Sequence, residues 1–223
     1  MSTRIRNLSQ QLLSDNWYKL HKYTFEYRHS DGGWREQSRE AYDRGNGAAI
    51  LLYNTARQSV VLTRQFRLPT FVNGNADGML VEACAGLLDR KSAGASAGAS
   101  TGASTKESTK ASTKASTEES PEACIVREVE EETGYKISQP QKIGQVYMSP
   151  GAVTEIIHLF IAEYTDGDKV GEGGGLHSEH EDIEVLQLDF AEAWSMLEAG
   201  EIRDAKTIIL LQHAKLHNLF ANS

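Results

Sequence analysis

The sequence predicts an α/β fold in which a few helices pack a mixed β-sheet into a sandwich. Three observations carry that reading. Short apolar runs separated by turn residues occupy residues 23–85. Amphipathic stretches with helix start and stop residues follow at 121–133, 190–199 and 205–220. Further β-patterned runs lie between them, so strands and helices share the second half of the chain.

Each element has its own local signal. YTFEY (23–27) and the run 34–42 flank SDGG (30–33), as in a hairpin. Residues 48–53 and 59–65 form a second apolar pair around NTARQ (54–58), and 79–85 reads as one further buried strand. Residues 91–120 then contain no Leu, Ile, Val, Met or aromatic residue, and serine recurs at every fourth position from Ser92 to Ser120. Such a segment buries too little apolar surface to offset about 1–2 kcal/mol of backbone entropy per residue. It is expected to be a flexible, solvated insert, with marginal helix in its Ala/Lys half as the alternative. Helical character resumes at Pro121, a residue suited to a first turn. Ala123, Val126 and Val129 share one face, and Gly134 supplies a stop. Strands are expected at 142–148, 156–164 and 183–188. Asp189 is expected to cap a helix over 190–199 that stops at Gly200, and 205–220 carries a Leu/Ile-rich helical face.

Composition narrows the function. The 223 residues hold 23 Lys and Arg against 31 Asp and Glu, a net charge of −8. General nucleic-acid binding needs the opposite balance. An acidic protein can still handle phosphates where divalent cations bridge the like charges. No apolar run approaches the ~18 residues of a membrane span, and MSTRIRNLSQQLL lacks the apolar core and cleavage site of a secretory leader. Cys84 and Cys124 sit among apolar neighbours and read as reduced, partly buried thiols. The expectation is a cytoplasmic protein built on one core, with no nucleic-acid or membrane partner.

The chemistry is concentrated in REVEEETGY (127–135). On a helix Glu128, Glu131 and Glu132 stand at i, i+3 and i+4, so their carboxylates share a face and repel one another. A countercharge is called for, and hard oxygen donors suit Mg²⁺ or Mn²⁺, which also bridge to substrate phosphates. For the three glutamates alone, a solvated acidic helix face is the better reading. The upstream residues decide. Removing residues 92–118 joins GLLDRK (86–91) to Glu119, giving Gly86, five residues, Glu119, seven residues, Arg127-Glu128, and then the glutamate pair and Gly134.

That pattern resembles the Nudix signature, interrupted by a low-complexity insert. Outside the insert the resemblance covers nearly the whole chain. YDRGNG (42–47), RQFR (64–67), FVNGN (71–75), YMSPG (147–151) with Thr154 and Glu155, and GEIRD (200–204) with Lys206 and Thr207 look like the GDP-mannose pyrophosphatase branch, close kin of the ADP-ribose pyrophosphatases. The resemblance implies an α/β/α Nudix sandwich around a mixed sheet over 46–223, preceded by a small N-terminal β region over 1–45. By the same resemblance, that region would be exchanged between the subunits of a homodimer. It also implies Mg²⁺-dependent hydrolysis of a nucleotide sugar, GDP-mannose foremost, to nucleoside monophosphate and sugar 1-phosphate.

Carried over by position, Glu128 and Glu132 would ligate Mg²⁺ (or Mn²⁺) with the carbonyl of Ala85, and Arg127 would brace the glutamate helix. Glu131 would be a ligand or an acid behind the ligands, and Glu119 would stabilise the loop or a second metal. Glu181, beyond the glycine run GEGGG (171–175), would be delivered to the metals by a hinged loop. Substrate contacts are implied for Trp17, Ser38, Arg39, Glu40, Arg67, Gly86, Leu87, Ala85, Glu155, His180 and Lys206. Trp17 would stack on the base, and the arginines present forks matched to phosphate oxygens. His177 and His180 have a competing reading as a transition-metal pair. At the level of function the alternatives are ADP-ribose hydrolysis and a non-hydrolytic nucleotide-sugar-binding module. A module of that kind commonly lacks one or more signature acids, and all of them are present here.

Overall fold

A computed structural model describes residues 4–89, 119–176 and 181–220. The insert, apart from Glu119 and Ser120, and the pair His177 and His180 lie outside the described residues.

Two sheets form. The first is an antiparallel meander of β1 (Ile5–Asp15), β2 (Lys19–Arg28) and β3 (Trp34–Asp43). The second has seven strands. Its path runs β10 (Glu184–Asp189), β5 (Ser59–Phe66), β4 (Gly47–Asn54), β9 (Ile156–Glu163), β8 (Gln141–Tyr147), with β6 (Met79–Glu82) on β5 and β7 (Cys84–Leu87) on β4. β4 and β9 pair in parallel and the other contacts are antiparallel, so the sheet is mixed.

β4 and β5 are apolar on both faces because both faces are covered. Ala48, Ile50 and Leu52 point to a core with Cys124, Ile125, Val129 and Phe160, under helix α2 (Pro121–Glu128). Ala49 and Leu51 point the other way, to Phe190, Ile202, Leu210 and Leu211, under α3 (Phe190–Glu198) and α4 (Ala205–Leu216). Period-two alternation along one strand thus builds the three layers. The α/β sandwich expected from the sequence is the observed architecture. No helix among the described residues is long and apolar enough to cross a membrane.

Six local features differ from or add to the sequence expectations. β1 was not anticipated: its apolar residues Ile5, Leu8, Leu12 and Leu13 do not alternate with polar ones, none of them is buried, and the strand shifts register twice, with Asn7 at φ 55°. The expected strand over 79–85 breaks at Ala83, whose N–H leaves the ladder for Thr207 Oγ1 (2.7 Å) as the chain changes partner from β5 to β4. The helix over 121–133 is α-helical only to Glu128 and closes with a π turn, Val129–Thr133, that stops at Gly134 (φ 72°). Asp189 occupies the N-cap position of α3 but its side chain makes no capping bond, and α4 ends at Leu216. A short helix, α1 (Leu68–Val72), follows β5 unannounced.

The two ends that flank the insert are joined. Glu119 donates its N–H to Asp89 O (2.9 Å), and Asp89 N–H is received by Glu119 Oε2 (3.2 Å). Deleting residues 92–118 would make Asp89 and Glu119 positions i and i+3, and the first of these bonds is then the one that closes a β-turn. The 27-residue deletion is therefore expected to fold, to gain about 1.5 kcal/mol through the shorter loop, and to keep its turnover. Thermal melts and initial rates of the two forms check this, and an unfolded deletion variant would refute it.

Candidate active site

Pro121 opens α2, and Ser120 caps it by accepting the Ala123 N–H (3.1 Å). Burial of Cys124, Ile125 and Val129 against β4 turns the opposite face of the helix toward β7. On that face Arg127 joins three carboxylates. Its Nη2 donates to Glu119 (3.1 Å), its Nη1 to Glu128 and Glu131 (2.9 Å each), and Nη2 also reaches Leu87 O at 3.5 Å. These carboxylates hold the guanidinium charged above its ordinary range even though its burial acts the other way.

The π turn carries Glu132 inward, where it is 2% exposed. Its Oε2 accepts the Ala85 N–H (3.2 Å), and the buried Cys84 thiol lies beside the same carboxylate. Gly86 lies directly against Glu128. A Cβ there would stand 1.8 Å from Glu128 Oε1, although the backbone of Gly86 is not in the left-handed region. This glycine is required for space.

The electrostatics follow from this packing. Burial raises the Glu132 carboxyl to about 8; the Cys84 thiol and the Ala85 N–H oppose that rise, and the charges of Glu128 and Glu181 add to it. Burial likewise raises Glu128 to about 7 against the pull of Arg127. The Cys84 thiol is pushed well up, and Cys124 to about 12, chiefly by burial, so neither is a nucleophile at neutral pH. The buried Glu132, which has no cationic partner among the described residues, and the half-buried Glu128, which shares Arg127 with two other acids, suit a hard divalent cation, which would reverse the shifts. Among the described residues no three acidic, His or Cys side chains yet converge on one cation-sized position. Glu128 is turned to Arg127, and Glu181 Oε2 accepts the Leu176 N–H of its own loop (3.0 Å).

The glycine run fastens this loop to the glutamate helix. Gly174 and Gly175 donate N–H bonds to Glu132 O (2.8 Å) and Glu131 O (3.1 Å), satisfying carbonyls that the π turn leaves open. Gly173, Gly174 and Gly175 have φ of 73°, 103° and 81°, a path side chains rarely follow.

Other candidates lie in two places. Arg67 and Lys206 meet on Glu82, with Arg67 Nε at 2.6 Å and Lys206 Nζ at 2.5 Å. Sequence reading missed both Glu82 and Cys84 as site residues; their only signal was a place just ahead of Ala85 and Gly86. In the first sheet, Arg39 bonds to Ser38 O (2.7 Å) and Gln37 (3.1 Å), Ser38 Oγ pairs with Thr24 (3.0 Å), and Trp17 is 83% exposed. Arg39 and Glu40 line a pocket of about 690 Å³ with Tyr147 and residues 150–154. Glu155 is paired with Arg44 (3.1 Å), whose guanidinium lies over Tyr18. No hydrogen bond or ion pair among the described residues links Trp17, Ser38, Arg39 or Glu40 to the glutamate helix.

A Nudix fold with the signature acids gathered beside β7 defines a class, and sequence comparison agrees. The family description NUDIX domain matches residues 43–211, and the description GDP-mannose pyrophosphatase NudK N-terminal domain matches residues 4–42. The chain belongs to the Nudix family and is a Nudix hydrolase, a class that depends in general on divalent metal. Two proteins named GDP-mannose pyrophosphatase resemble it over their full length. That of Yersinia enterocolitica serotype O:8 / biotype 1B is 49% identical over 98% of this chain and 99% of its own. That of Pectobacterium atrosepticum is 48% identical over 99% of each. A solved structure titled as that of an ADP compounds hydrolase superposes with a TM-score of 0.63 over 99% of both chains at 14% identity, a likeness of fold alone.

Proposed function

We propose that this chain is a Mg²⁺-dependent pyrophosphatase that hydrolyses GDP-mannose to GMP and mannose 1-phosphate, working as a cytoplasmic homodimer with an N-terminal β region over 1–45 and a catalytic domain over 46–223. The observation that carries the reading is the packing of Glu128 and Glu132 against Ala85 and Gly86 at the point where the signature requires acids. The names of the full-length relatives support the substrate.

In this reading Glu128, Glu132 and Glu181, with the Ala85 carbonyl, hold Mg²⁺. The cation supplies charge neutralisation of the diphosphate and activation of water. The protein does the rest. Arg127 orients Glu128 and Glu131, the Cys84 thiol and Ala85 N–H orient Glu132, and the glycine-hinged loop brings Glu181. Arg67 and Lys206 take the diphosphate, and Gly86 and Leu87 also contact the substrate. His180, next to Glu181 in the sequence, completes the contacts.

Trp17, Ser38, Arg39 and Glu40 belong to this site through a second subunit. β1 exposes Ile5, Leu8, Leu12 and Leu13, an apolar edge that a second copy would cover. Sedimentation is expected to give a dimer, with specific activity falling on dilution below its dissociation constant. A fully active monomer would remove those four residues from the site. The substrate is tested by product analysis with GDP-mannose, ADP-ribose and ADP-glucose, with and without Mg²⁺. Preferred cleavage of ADP-ribose would overturn the GDP-mannose assignment, and binding without cleavage would favour a sensing module.

A further inference from the structure

Glu82, at the end of β6, is 3% exposed, yet both its oxygens are committed to cations: Oε2 to Arg67 Nε (2.6 Å) and Oε1 to Lys206 Nζ (2.5 Å). Lys206 is also held by Asp204 Oδ1 (2.9 Å). Asp204 Oδ2 caps α4 by accepting the Thr207 N–H (2.9 Å) and hydroxyl (2.6 Å), and the Thr207 oxygen accepts the Ala83 N–H (2.7 Å). The chain break between β6 and β7 is thereby pinned to the first turn of α4. Two acids balance two bases, and the cluster is neutral as a whole.

The cluster nevertheless leaves donors over. Arg67 spends only its Nε on partners among the described residues, so the N–H groups of both terminal nitrogens remain, and its side chain is 39% exposed. Lys206 spends two of its three N–H groups. Burial alone would lower the Lys206 pKa, but Glu82 and Asp204 hold the ammonium charged above its ordinary value. The terminal nitrogens of Arg67 are therefore open to an anionic ligand, which would replace the water around them. Glu82 also lies only three residues before Ala85, whose N–H holds Glu132. One short stretch of backbone therefore sets both the acids and the cations.

We propose that Glu82 is a positioning residue that presents Arg67 and Lys206 as a preorganised cationic pair to the diphosphate of the substrate, an inference that rests on the nucleotide-sugar reading above. Fixing the two long side chains beforehand removes part of the ordering cost of binding. Gln in place of Glu82 cannot serve, because an amide accepts through one atom only and offers its NH₂ to a cation.

The test is steady-state kinetics of Glu82→Gln, Arg67→Met and the double variant, together with calorimetric titration of GDP in the presence of Mg²⁺. Glu82→Gln should raise KM and weaken GDP binding by about tenfold, with a much smaller change in kcat and no change in the Mg²⁺ concentration at half-maximal rate. Arg67→Met should raise KM similarly, and the double variant should show far less than the product of the two effects, because Glu82 acts largely through Arg67. Independent, multiplicative effects, an unchanged KM, or a shift in the Mg²⁺ midpoint equal to that in KM would overturn the proposal. Removing one member of a buried ion pair destabilises. If Glu82→Gln does not fold, Lys206→Met with and without Glu82→Gln gives a charge-balanced comparison, in which KM must still rise because Arg67 is released. Parallel assays with GDP-mannose and ADP-ribose keep the two readings apart. Preference for ADP-ribose overturns the substrate assignment alone, since the KM comparison is then made on that nucleotide, whereas a wild-type chain that neither cleaves these compounds nor binds GDP overturns both.

Discussion

Glu132→Gln is expected to lower kcat by about 10³-fold, the loss of several kcal/mol of metal-borne charge stabilisation, while making the metal-free protein more stable at pH 8. The two effects have one cause. Glu132 is buried beside Glu128 and near Glu181, and its carboxyl is raised from an ordinary 4.5 to about 8. Between these values the folded state binds the proton more tightly than the unfolded state does, so this group's contribution to stability is fully present below 4.5 and is lost as the pH rises through 8. The amide is neutral at every pH and escapes that loss, and it can still accept the Ala85 N–H. Melting curves in EDTA should therefore place Glu132→Gln above wild type at pH 8, with the gap closing toward pH 5. Mg²⁺ should raise the wild-type melting temperature at pH 8 and leave the variant nearly unmoved. Wild-type turnover in Glu132→Gln would remove Glu132 from the metal site. A variant less stable than wild type in EDTA at pH 8 would show that its packing outweighs its charge.

What could be read from the sequence, and what could not, divides along the range of the forces involved. β4, β5 and β9 were legible because they are buried over most of their length and each carries a concentrated apolar run. β1 was illegible because it buries almost nothing within one copy, so its residues were never constrained to alternate. The helix start at Pro121 and its stop at Gly134 are local and could be read. The π turn between them could not, since carbonyls of Glu131 and Glu132 find donors in Gly175 and Gly174, some forty residues on in the chain. Likewise the glutamate face was visible in the spacing of Glu128, Glu131 and Glu132. The choice of which acid goes inward depends on the break at Ala83, and that break depends on Thr207, 124 residues away. Glu82 was overlooked for the same reason: a lone acid in an apolar strand has no periodicity to mark it, and its partners come from the N-cap of α1 and from α4 only on folding.

Gly86→Ala separates two explanations of the signature glycine that sequence alone cannot distinguish. If the glycine were there for a left-handed backbone, alanine would strain the chain and the cost would appear in stability. Gly86 is not among the positive-φ glycines, and it sits in β7 paired with Ala48 of β4, a conformation alanine adopts freely. The obstacle is instead Glu128, whose Oε1, Cδ and Cγ would lie 1.8, 1.9 and 2.4 Å from the new Cβ. Ordinary contact requires the carboxylate to retreat by roughly 1.5 Å. It can do so by rotating about its own side-chain bonds, so the fold should lose little, and the reduced freedom of the unfolded chain returns about 0.4–1 kcal/mol. Activity has no such escape, because a displacement of about 1 Å in a positioned group can cost on the order of 10²-fold in rate. The expected result is a melting temperature within a few degrees of wild type (about 1 kcal/mol at most), a turnover lowered by about 10²-fold or more, and a raised Mg²⁺ requirement. Gly144→Ala is the control, since a Cβ there meets nothing within 4 Å, and its activity should match wild type. Full activity in Gly86→Ala would mean that Glu128 works from another position. A collapsed melting temperature would mean that the crowding is relieved by the backbone of β7 rather than by the side chain, and the steric role assigned to this glycine would then be structural.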